Sequence, residues 1–219
     1  TDGIFALTGE IAPLDKIYPL AEKFNAGIIV DDAHATGVLG KNGRGTPEHF
    51  HLGDAVTIYQ SETMSKALGA YGGFISADQE IIDTIREKST VYQASTSLPP
   101  ALASAGCSSI KIIKEHPELR LTLNENAKRI REGVKNLNFQ TSAGGTAIIP
   151  ILFTSKQNAG NLSEFLKENY IIVPYITYPV KMDKFIVRIT ASAIHTEGQI
   201  GELLAALKKW RKNHGSDKD

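Results

Sequence analysis

The sequence predicts an α/β fold, and three patterns within its 219 residues lead to this prediction. A short apolar run that ends in two carboxylates, at 26–32, is typical of a strand buried in a sheet. Helical spacing of apolar residues comes directly before it, at 13–24. Strand and helix patterns alternate again beyond residue 138. We therefore expect part of a large, mixed but mostly parallel sheet domain, followed by a smaller α+β domain.

The remaining elements follow the same reasoning in chain order. The first strand should be buried on both faces, because its apolar run is continuous. Further strands are predicted from runs rich in β-branched and aromatic residues, at 54–60, 72–77, 146–154, 170–175 and 185–192. Long helices are predicted from leading prolines and apolar periodicity, in two segments between 99 and 137 and then at 161–170 and 196–213. The domains are accordingly 1–137 and 138–219, and the polar tail at 214–219 should be frayed.

Charge and cysteine content exclude several classes of function. Lysine plus arginine equals aspartate plus glutamate, at 24 each, so no summed positive field attracts nucleic acid or an anionic membrane. No apolar run approaches the roughly 20 residues of a membrane span. The single cysteine, Cys107, cannot form an internal disulfide, which favours a reducing cytoplasm. Because the sequence opens at Thr1 on an apparent loop, we expect it to be the C-terminal part of a longer protein.

A lysine stands between hydroxyl side chains and glycines in the stretch SETMSKALGAYGG, at 61–73. An isolated Lys66 would most simply be a solvated surface residue. Its position beyond a predicted strand changes this interpretation, because open parallel sheets bind ligands beyond the carboxyl ends of their strands. If the first two strands are neighbours, Asp31, His34, Thr63 and Lys66 face one crevice.

These side chains suit pyridoxal 5'-phosphate (PLP). A lysine desolvated in the crevice would keep a neutral amine, which forms a Schiff base with an aldehyde. A buried Asp31 across a flat ligand would keep the ring nitrogen protonated, so that the ring acts as an electron sink. Glycines at 69, 72 and 73 let the backbone turn sharply and leave room for a planar ligand. We therefore expect PLP as the cofactor.

Four blocks of the sequence carry a resemblance to a known family. They are DDAHATGVLGKNGRG at 31–45, TMSKALGAYGG at 63–73, STSLPP at 95–100 and VRITASAIHT at 187–196. In this order and spacing they resemble the α-oxoamine synthases, which are PLP enzymes of fold type I. This family includes 2-amino-3-ketobutyrate CoA ligase, 8-amino-7-oxononanoate synthase, 5-aminolevulinate synthase and serine palmitoyltransferase. The resemblance extends from residue 1 to about residue 210.

The resemblance implies a role for each matching residue near the cofactor. Lys66 holds PLP as a Schiff base and later moves the substrate Cα proton. Asp31 pairs with the ring nitrogen, and His34 hydrogen-bonds the ring hydroxyl. Thr63 holds the phosphate.

The resemblance also implies an obligate homodimer with a shared active site. Ser95 and Thr96 reach the phosphate of the second subunit, and Arg188 clamps the substrate carboxylate. A guanidinium suits this task because its planar donor fork matches a carboxylate. A structural ion pair is the alternative for Arg188, but Asp183, the only acid close to it in sequence, precedes the predicted strand. We therefore expect the anionic partner of Arg188 to be brought by the ligand.

Two positions and one region depart from the family pattern. Ala6 replaces a serine that contacts cofactor or substrate in many relatives, and Ile186 replaces a second basic residue near the carboxylate clamp. The amino-terminal portion of the family, with the histidine that stacks on the cofactor ring, is absent from this sequence.

Structural alternatives exist for several of these residues. Asp31 and Asp32 are also typical of a turn after a strand, and together with His34 they form only a thin set of metal ligands. We therefore expect no metal. Hydroxyl side chains could act as helix caps, an alternative that applies to Thr63, Ser95 and Thr96. The glycine-rich stretch at 40–45 lacks the Lys-Ser/Thr ending of a P-loop and is interpreted as a turn-rich loop.

The function expected from residues and resemblance together is PLP-dependent acyl-CoA:amino acid C-acyltransfer. Such an enzyme joins a small amino acid to an acyl thioester with loss of carbon dioxide, as 8-amino-7-oxononanoate synthase or glycine C-acetyltransferase does. A class I/II aminotransferase is the alternative enzyme, since it shares Asp31 and Lys66 but needs no acyl-CoA site. A non-catalytic partner subunit of the same fold is the alternative from another class.

Overall fold

A computed structural model describes residues 1–53, 57–177 and 184–214. The helices are α1 (Leu14–Lys23), α2 (Thr46–His49), α3 (Gln79–Lys88), α4 (Thr90–Ala94), α5 (Pro100–Glu115), α6 (Glu118–Asn136), α7 (Lys156–Glu168) and α8 (Glu197–His214). The strands are β1 (Ile28–Asp31), β2 (Ile58–Thr63), β3 (Gly73–Ser76), β4 (Ile148–Phe153), β5 (Tyr175–Ile176) and β6 (Phe185–Thr190). The chain divides into two compact units.

The first unit comprises Thr1–Ile4 and Ile11–Pro117. Its sheet has the order β1-β2-β3, with β1 and β2 parallel and β3 antiparallel to β2. The register places Asp31 opposite Ser61, so the carboxyl ends of β1 and β2 lie at the same edge. The mixed but partly parallel α/β sheet confirms the predicted fold class for this part of the chain.

Burial along β1 alternates, so the expectation that this strand is buried on both faces is wrong. Ile28 and Val30 point into a core formed with α1, whereas Ile29 keeps 68% of its surface exposed. A continuous apolar run does not reveal which face is covered, because each strand residue points to the face opposite its neighbour's. No described residue covers the Ile29 face of β1 enough to bury it.

Other predicted elements are found with different bounds. The strand predicted at 54–60 is observed from Ile58 to Thr63, and residues 54–56 lie outside the described residues. The strand predicted at 170–175 is reduced to the two residues of β5. Asp183 and the tail at 215–219 also lie outside the described residues.

The second unit comprises Phe5–Glu10 and Glu118–Asp219. Its antiparallel sheet has the order β4-β6-β5 and carries α6, α7 and α8. The core joins β4 and β6 to the buried sides of these helices, with Ile149, Val187 and Leu207 fully enclosed. Helix α6 belongs to this unit because Ile130 and Val134 lie in that core. The domain boundary predicted at residue 138 remains a prediction.

A short segment, 5–10, leaves the first unit and packs within the second. The Ser142 hydroxyl donates to the Thr8 carbonyl, and the Thr146 hydroxyl donates to the Gly9 carbonyl over 2.8 Å. Gly9 has φ +67°, and a Cβ there would lie 2.4 Å from the Ile148 carbonyl oxygen. Only glycine lets the segment approach β4 this closely.

Among the described helices, none is both long enough and apolar enough to cross a membrane.

Candidate active site

The end of the first unit's sheet presents two of the predicted site residues on one face. Because side chains alternate along a strand, Asp31 of β1 and Thr63 of β2 share the face that also carries Ile29. The turn that follows β1 carries His34, which is half-buried. The structure thus brings Asp31, His34 and Thr63 to the same edge of the sheet, as expected for neighbouring parallel strands.

Lys66 lies in a tight loop that leaves this edge after β2. Met64 closes the loop through its main chain, accepting from Ala70 N over 2.7 Å and donating to the Gly72 carbonyl over 2.9 Å. Thr63 Oγ1 also reaches the Gly72 carbonyl, at 3.2 Å. These hydrogen bonds fix the backbone on both sides of Lys66, so the loop presents the lysine from a defined position.

Helix α5 packs on this loop and holds it from behind. The Ser109 hydroxyl donates to the Leu68 carbonyl over 2.7 Å. At Gly106 an added Cβ would lie 2.5 Å from the Met64 sulfur, so the absence of a side chain on the helix lets Met64 pack there. Met64 and Leu68 are both buried, which anchors the loop while leaving Lys66 outward.

Asp31 and Lys66 are exposed, which corrects the expectation that both are desolvated in a crevice. The buried aspartate of the pair is Asp32, with 0% of its surface exposed. The physical reason is again the alternation along the chain, which sends Val30 and Asp32 to the covered face and Asp31 to the open face. The Asp31 carboxylate accepts a hydrogen bond from Ala33 N over 3.0 Å, as in an Asx turn.

Asp32 occupies a closely fitted polar cage on the covered face. Its carboxylate accepts from Thr46 N (2.7 Å), from the Thr46 hydroxyl (2.6 Å) and from Gln60 Nε2 (2.7 Å). Added Cβ atoms at Gly3 and Gly45 would lie 1.9 and 2.1 Å from its oxygens. Burial raises the pKa of the Asp32 carboxyl above its usual value, and the bonds from Thr46 and Gln60 offset part of that rise.

Glu62 continues this polar layer below the end of β2. It accepts from the Thr36 hydroxyl over 3.0 Å and from the Ser76 hydroxyl over 2.7 Å. The same Thr36 hydroxyl lies 3.1 Å from the carbonyl oxygen of Asp32. Burial raises the pKa of Glu62, the two hydroxyls lower it, and the nearby charge of Asp32 raises it further.

The glycine-rich loop at 40–45 closes around a carboxylate of the chain itself. Glu48 accepts from the backbone N of Asn42 and of Arg44, each at 3.0 Å, and from Asn42 Nδ2 at 2.6 Å. These amides are the groups that would hold a phosphate in an anion-binding loop. Because Glu48 already occupies them, the turn-rich interpretation of this stretch agrees with the geometry.

Ser95 and Thr96 are exposed and do not cap α5, which corrects the helix-cap alternative for them. The N-cap of α5 is Pro99, and it makes no side-chain capping bond. Ser95 instead ends α4, where its hydroxyl donates to the Val91 carbonyl over 2.5 Å. Leu98 of the same segment packs towards Gly72, whose added Cβ would lie 3.0 Å from a Leu98 methyl group.

Arg188 lies on β6 in the second unit and is half-buried. Its Nη1 donates to the Ala6 carbonyl over 2.9 Å. This acceptor is neutral and leaves the positive charge uncompensated. The Nε atom is buried and has no hydrogen-bond partner among the described residues. One edge of the guanidinium fork thus has unused donor capacity.

Within the described ranges, no group of three or more His, Cys, Asp or Glu side chains is placed to hold a metal ion. The second unit does contain a cavity of about 470 Å³ that includes Lys135, Lys184 and Arg211 in its lining. Arg211 donates to the Asn138 carbonyl just beyond the end of α6, and Lys135 lies in the last turn of that helix. These two cations are accounted for by the carbonyl-rich helix end.

Sequence reasoning missed three residues next to the predicted site. Asp32 was interpreted only as a turn residue or a weak metal ligand, and Glu62 was not singled out. The alternation of side chains along each strand could have identified them, because it places Asp32 and Glu62 on the same face of the sheet as Val30. Ser65 was also missed, and its hydroxyl lies 2.9 Å from Thr63 Oγ1.

Comparison with known proteins places these features in a family. The family model for class I and II aminotransferases matches residues 1–207. Among curated proteins, the 8-amino-7-oxononanoate synthase of Thermoanaerobacter pseudethanolicus is 39% identical over 210 residues, covering 95% of this chain and 53% of that protein. The synthase of Symbiobacterium thermophilum is 40% identical, with the same coverage. The chain therefore spans about half the length of these relatives.

Solved structures with the same fold point in the same direction. A serine palmitoyltransferase from Sphingomonas wittichii superposes with a TM-score of 0.91 at 26% identity, covering 97% of this chain and 54% of that one. An 8-amino-7-oxononanoate synthase from Francisella tularensis superposes with a TM-score of 0.84 at 29% identity, covering 97% and 62%. These matches confirm the resemblance to α-oxoamine synthases and the fold-type-I architecture.

Proposed function

The chain belongs to the family of class I and II aminotransferases, and on this basis we propose that its protein is a PLP-dependent acyl-CoA:amino acid C-acyltransferase. The reaction would be the decarboxylative condensation of a small amino acid with an acyl thioester, of the 8-amino-7-oxononanoate synthase or glycine C-acetyltransferase type. Curated relatives at 36–40% identity, all named 8-amino-7-oxononanoate synthase or putatively so, support the synthase over an aminotransferase.

One structural observation carries the proposal. Asp31 and Thr63 stand on the same face and at the same edge of two adjacent parallel strands, and Lys66 follows Thr63 on a braced loop. PLP requires three such groups: an anion for its pyridinium nitrogen, a hydroxyl for its phosphate and an amine for its aldehyde.

The residues present fit PLP as the cofactor. Asp31 is exposed on an open face, and its carboxylate has capacity beyond the single bond from Ala33 N. The paired hydroxyls of Thr63 and Ser65 are also exposed or half-buried, and hydroxyls are good phosphate partners. When bound, PLP supplies an electron sink for the negative charge that develops at the substrate Cα.

Each site residue receives one role in this proposal. Lys66 would hold the cofactor through its side-chain amine, and the same amine would move the proton at the substrate Cα. Asp31 keeps the ring nitrogen protonated, and His34 donates to or accepts from the ring hydroxyl. Thr63 binds the phosphate. The unused donors of Arg188 bind the substrate carboxylate, and this orients the Cα–H bond that is to be broken.

The proposal includes a homodimer that works in the cytoplasm. Ser95 and Thr96 would serve the phosphate of the neighbouring subunit, since both are exposed on the segment between α4 and α5. The single cysteine of the sequence fits a reducing compartment. The substrates would be an amino acid and an acyl-CoA.

Two alternatives make different predictions. An aminotransferase would use Asp31 and Lys66 equally but would release a keto acid rather than free CoA. A non-catalytic partner subunit would have no need of a Schiff-base lysine. The presence of Lys66 on a loop braced by Met64 and α5 favours an enzyme over such a partner.

The cofactor attachment can be tested by borohydride reduction of the full-length protein. The wild type should give a stable pyridoxyl adduct on the peptide that contains Lys66, because reduction traps a Schiff base. Lys66→Ala should lose the adduct and at least about a thousandfold in turnover, since covalent catalysis needs the amine. Lys88→Ala, which changes an exposed lysine at the end of α3, is the control and should keep both.

Substrate class is tested by a second experiment. Glycine, alanine and serine are combined with short and long acyl-CoAs, and release of free CoA is followed. CoA release with one amino acid and one chain length supports the synthase. Keto-acid formation without CoA release would instead establish the aminotransferase.

A further inference from the structure

The face of the sheet opposite the proposed site carries a hydrogen-bonded polar layer that the proposed chemistry does not use. Asp32 and Glu62 are each the chain neighbour of a proposed site residue, Asp31 and Thr63 respectively. Because neighbouring residues along a strand point to opposite faces, these two carboxylates, Asp32 buried and Glu62 half-buried, lie on the face behind the site side chains.

Asp32 joins three segments of the first unit. Its carboxylate accepts from Gln60 Nε2, which links it to β2. The same Gln60 Nε2 also donates to the Arg44 carbonyl over 2.9 Å. Through Thr46, Asp32 is tied to the start of α2. Its main-chain carbonyl accepts from the N–H groups of Ala35 and Thr36, at 2.8 and 2.9 Å. This last pair of bonds closes the turn that carries His34.

Two glycines show that this cage is closely fitted. Gly45 has φ +90° and ψ −159°, a region that is essentially restricted to glycine. With a Cβ at Gly3 or Gly45, the Asp32 carboxylate would have to move, since the contacts would be near 2 Å. The backbone at both glycines therefore fits closely around the carboxylate. An ordinary core contact does not require so close a fit.

We propose that Asp32 is a positioning residue for the cofactor site: its buried carboxylate, bonded to Thr46 and Gln60, fixes Asp31 and His34 relative to the end of β2. It acts from behind the sheet and touches neither cofactor nor substrate. This inference rests on the proposed function, because it takes Asp31 and His34 as the groups that hold PLP.

The test compares Asp32→Ala with Asp32→Asn in the full-length protein. Asparagine can keep the cage: its oxygen accepts from Thr46 N and Gln60 Nε2, and its amide nitrogen donates to the Thr46 hydroxyl. Alanine leaves those donors without their acceptor. The dissociation constant of PLP should therefore rise about 10- to 100-fold in Asp32→Ala, the range known for residues that orient metal ligands. It should stay within about threefold of wild type in Asp32→Asn.

Val30→Ala is the matched control, since Val30 is also fully buried and lies two residues earlier on the same face. Urea unfolding of each apoprotein is measured beside PLP binding. Val30→Ala should lower stability and leave the PLP dissociation constant within about twofold, whereas Asp32→Ala should change both. If Asp32→Ala folds too poorly, Thr46→Val removes one cage hydroxyl and should weaken PLP binding in the same direction.

Three outcomes would overturn the inference. Asp32→Ala and Val30→Ala could show the same PLP affinity as wild type, which would make Asp32 a core residue only. Asp32→Asn could lose as much affinity as Asp32→Ala, which would assign the effect to charge rather than to hydrogen bonding. Thr46→Val could leave affinity unchanged. Failure of the proposed cofactor site is a separate result, since the wild type itself would then bind no PLP, and failure of the proposed acyl transfer is separate again, since PLP would bind without release of free CoA.

Discussion

Arg188 is a half-buried cation, and the protein satisfies only part of its hydrogen-bonding capacity. Its Nη1 donates to the Ala6 carbonyl, and its Nε is buried without a described partner. A main-chain carbonyl holds the guanidinium in place but does not neutralise it. A carboxylate from a ligand would supply both the charge and the missing acceptor.

We expect Arg188→Lys to weaken amino acid binding while leaving cofactor binding intact. Lysine keeps the charge but has no planar fork, so it cannot bond Ala6 and a carboxylate bidentately. The amino acid dissociation constant should rise about tenfold or more, and turnover should fall with it. Titration of the holoenzyme with amino acid, followed by absorbance, measures this. Unchanged affinity would mean that Arg188 is structural.

Two glutamates of the first unit should change stability with pH in opposite directions. Burial opposes ionisation of Glu48, but hydrogen bonds from Arg44 and Asn42 outweigh it and lower the pKa below 4.5. Its contribution is therefore present above the unfolded pKa and lost as pH falls through the folded pKa. Glu62 has a raised pKa, so its ionisation disfavours the folded state as pH rises through the folded pKa.

The comparison uses Glu48→Gln and Glu62→Gln, with urea unfolding between about pH 2.5 and pH 8. Relative to wild type, Glu48→Gln should lose stability at neutral pH and approach wild type on acidification. Glu62→Gln should gain relative stability as pH rises. The same pH trend in both variants would contradict the assigned directions.

Helix α6 contributes an internal brace to the second unit. Arg131 is buried and donates to the carbonyls of Ser142 (3.3 Å), Thr146 (3.0 Å) and Ile148 (2.9 Å). Burial lowers the pKa of its guanidinium. The hydroxyls of Ser142 and Thr146 in turn hold the segment 5–10, which supplies the Ala6 carbonyl. The helix thus supports the residues that position Arg188.

We expect Arg131→Met to lower the free energy of unfolding by about 3 kcal/mol. Methionine fills much of the volume, but three carbonyls lose their donor at about 1 kcal/mol each. Arg129→Met is the control on the same helix, because Arg129 pairs with Glu197 at the surface. That exposed pair should contribute less than about 1 kcal/mol. Equal losses in the two variants would show that Arg131 is not a brace.

The proposed homodimer is tested by mixing two inactive variants of the subunit. One subunit carries Lys66→Ala, and the other carries Ser95→Ala with Thr96→Ala. If the hydroxyls serve the partner's phosphate, the mixed dimer contains one site with both Lys66 and the hydroxyls. Each variant homodimer should bind or trap about tenfold less PLP than the wild type, or less still. The mixture should recover one competent site per mixed dimer.

The control for this experiment is co-expression of two differently tagged copies of one variant, which should restore nothing. Absence of recovery in purified mixed dimers would contradict the shared site. In that case Ser95 and Thr96 would serve their own chain.

Much of the architecture was predictable because local patterns carry it. Leading prolines and apolar periodicity predicted α5 and α6, and β-branched runs predicted β4 and β6. The position of Lys66 just beyond β2 also followed from sequence, since a strand end is marked by the change from apolar to polar residues. The site residues of the first unit were therefore predictable as neighbours at one sheet edge.

Tertiary structure decided which face of each strand is covered and which polar groups meet across the chain. Asp31 and Asp32 are adjacent residues of the same type, yet Asp31 is exposed and Asp32 is fully buried, because Asp32 alone is enclosed by Thr46 and Gln60. The bond between Arg188 and Ala6 joins residues 182 positions apart, so no local pattern announces it. The sequence alone indicated the types of element and which side chains lie at the sheet edge, because these depend on neighbours along the chain. The buried layer behind that edge depends on contacts between distant segments, and only the folded chain brings them together.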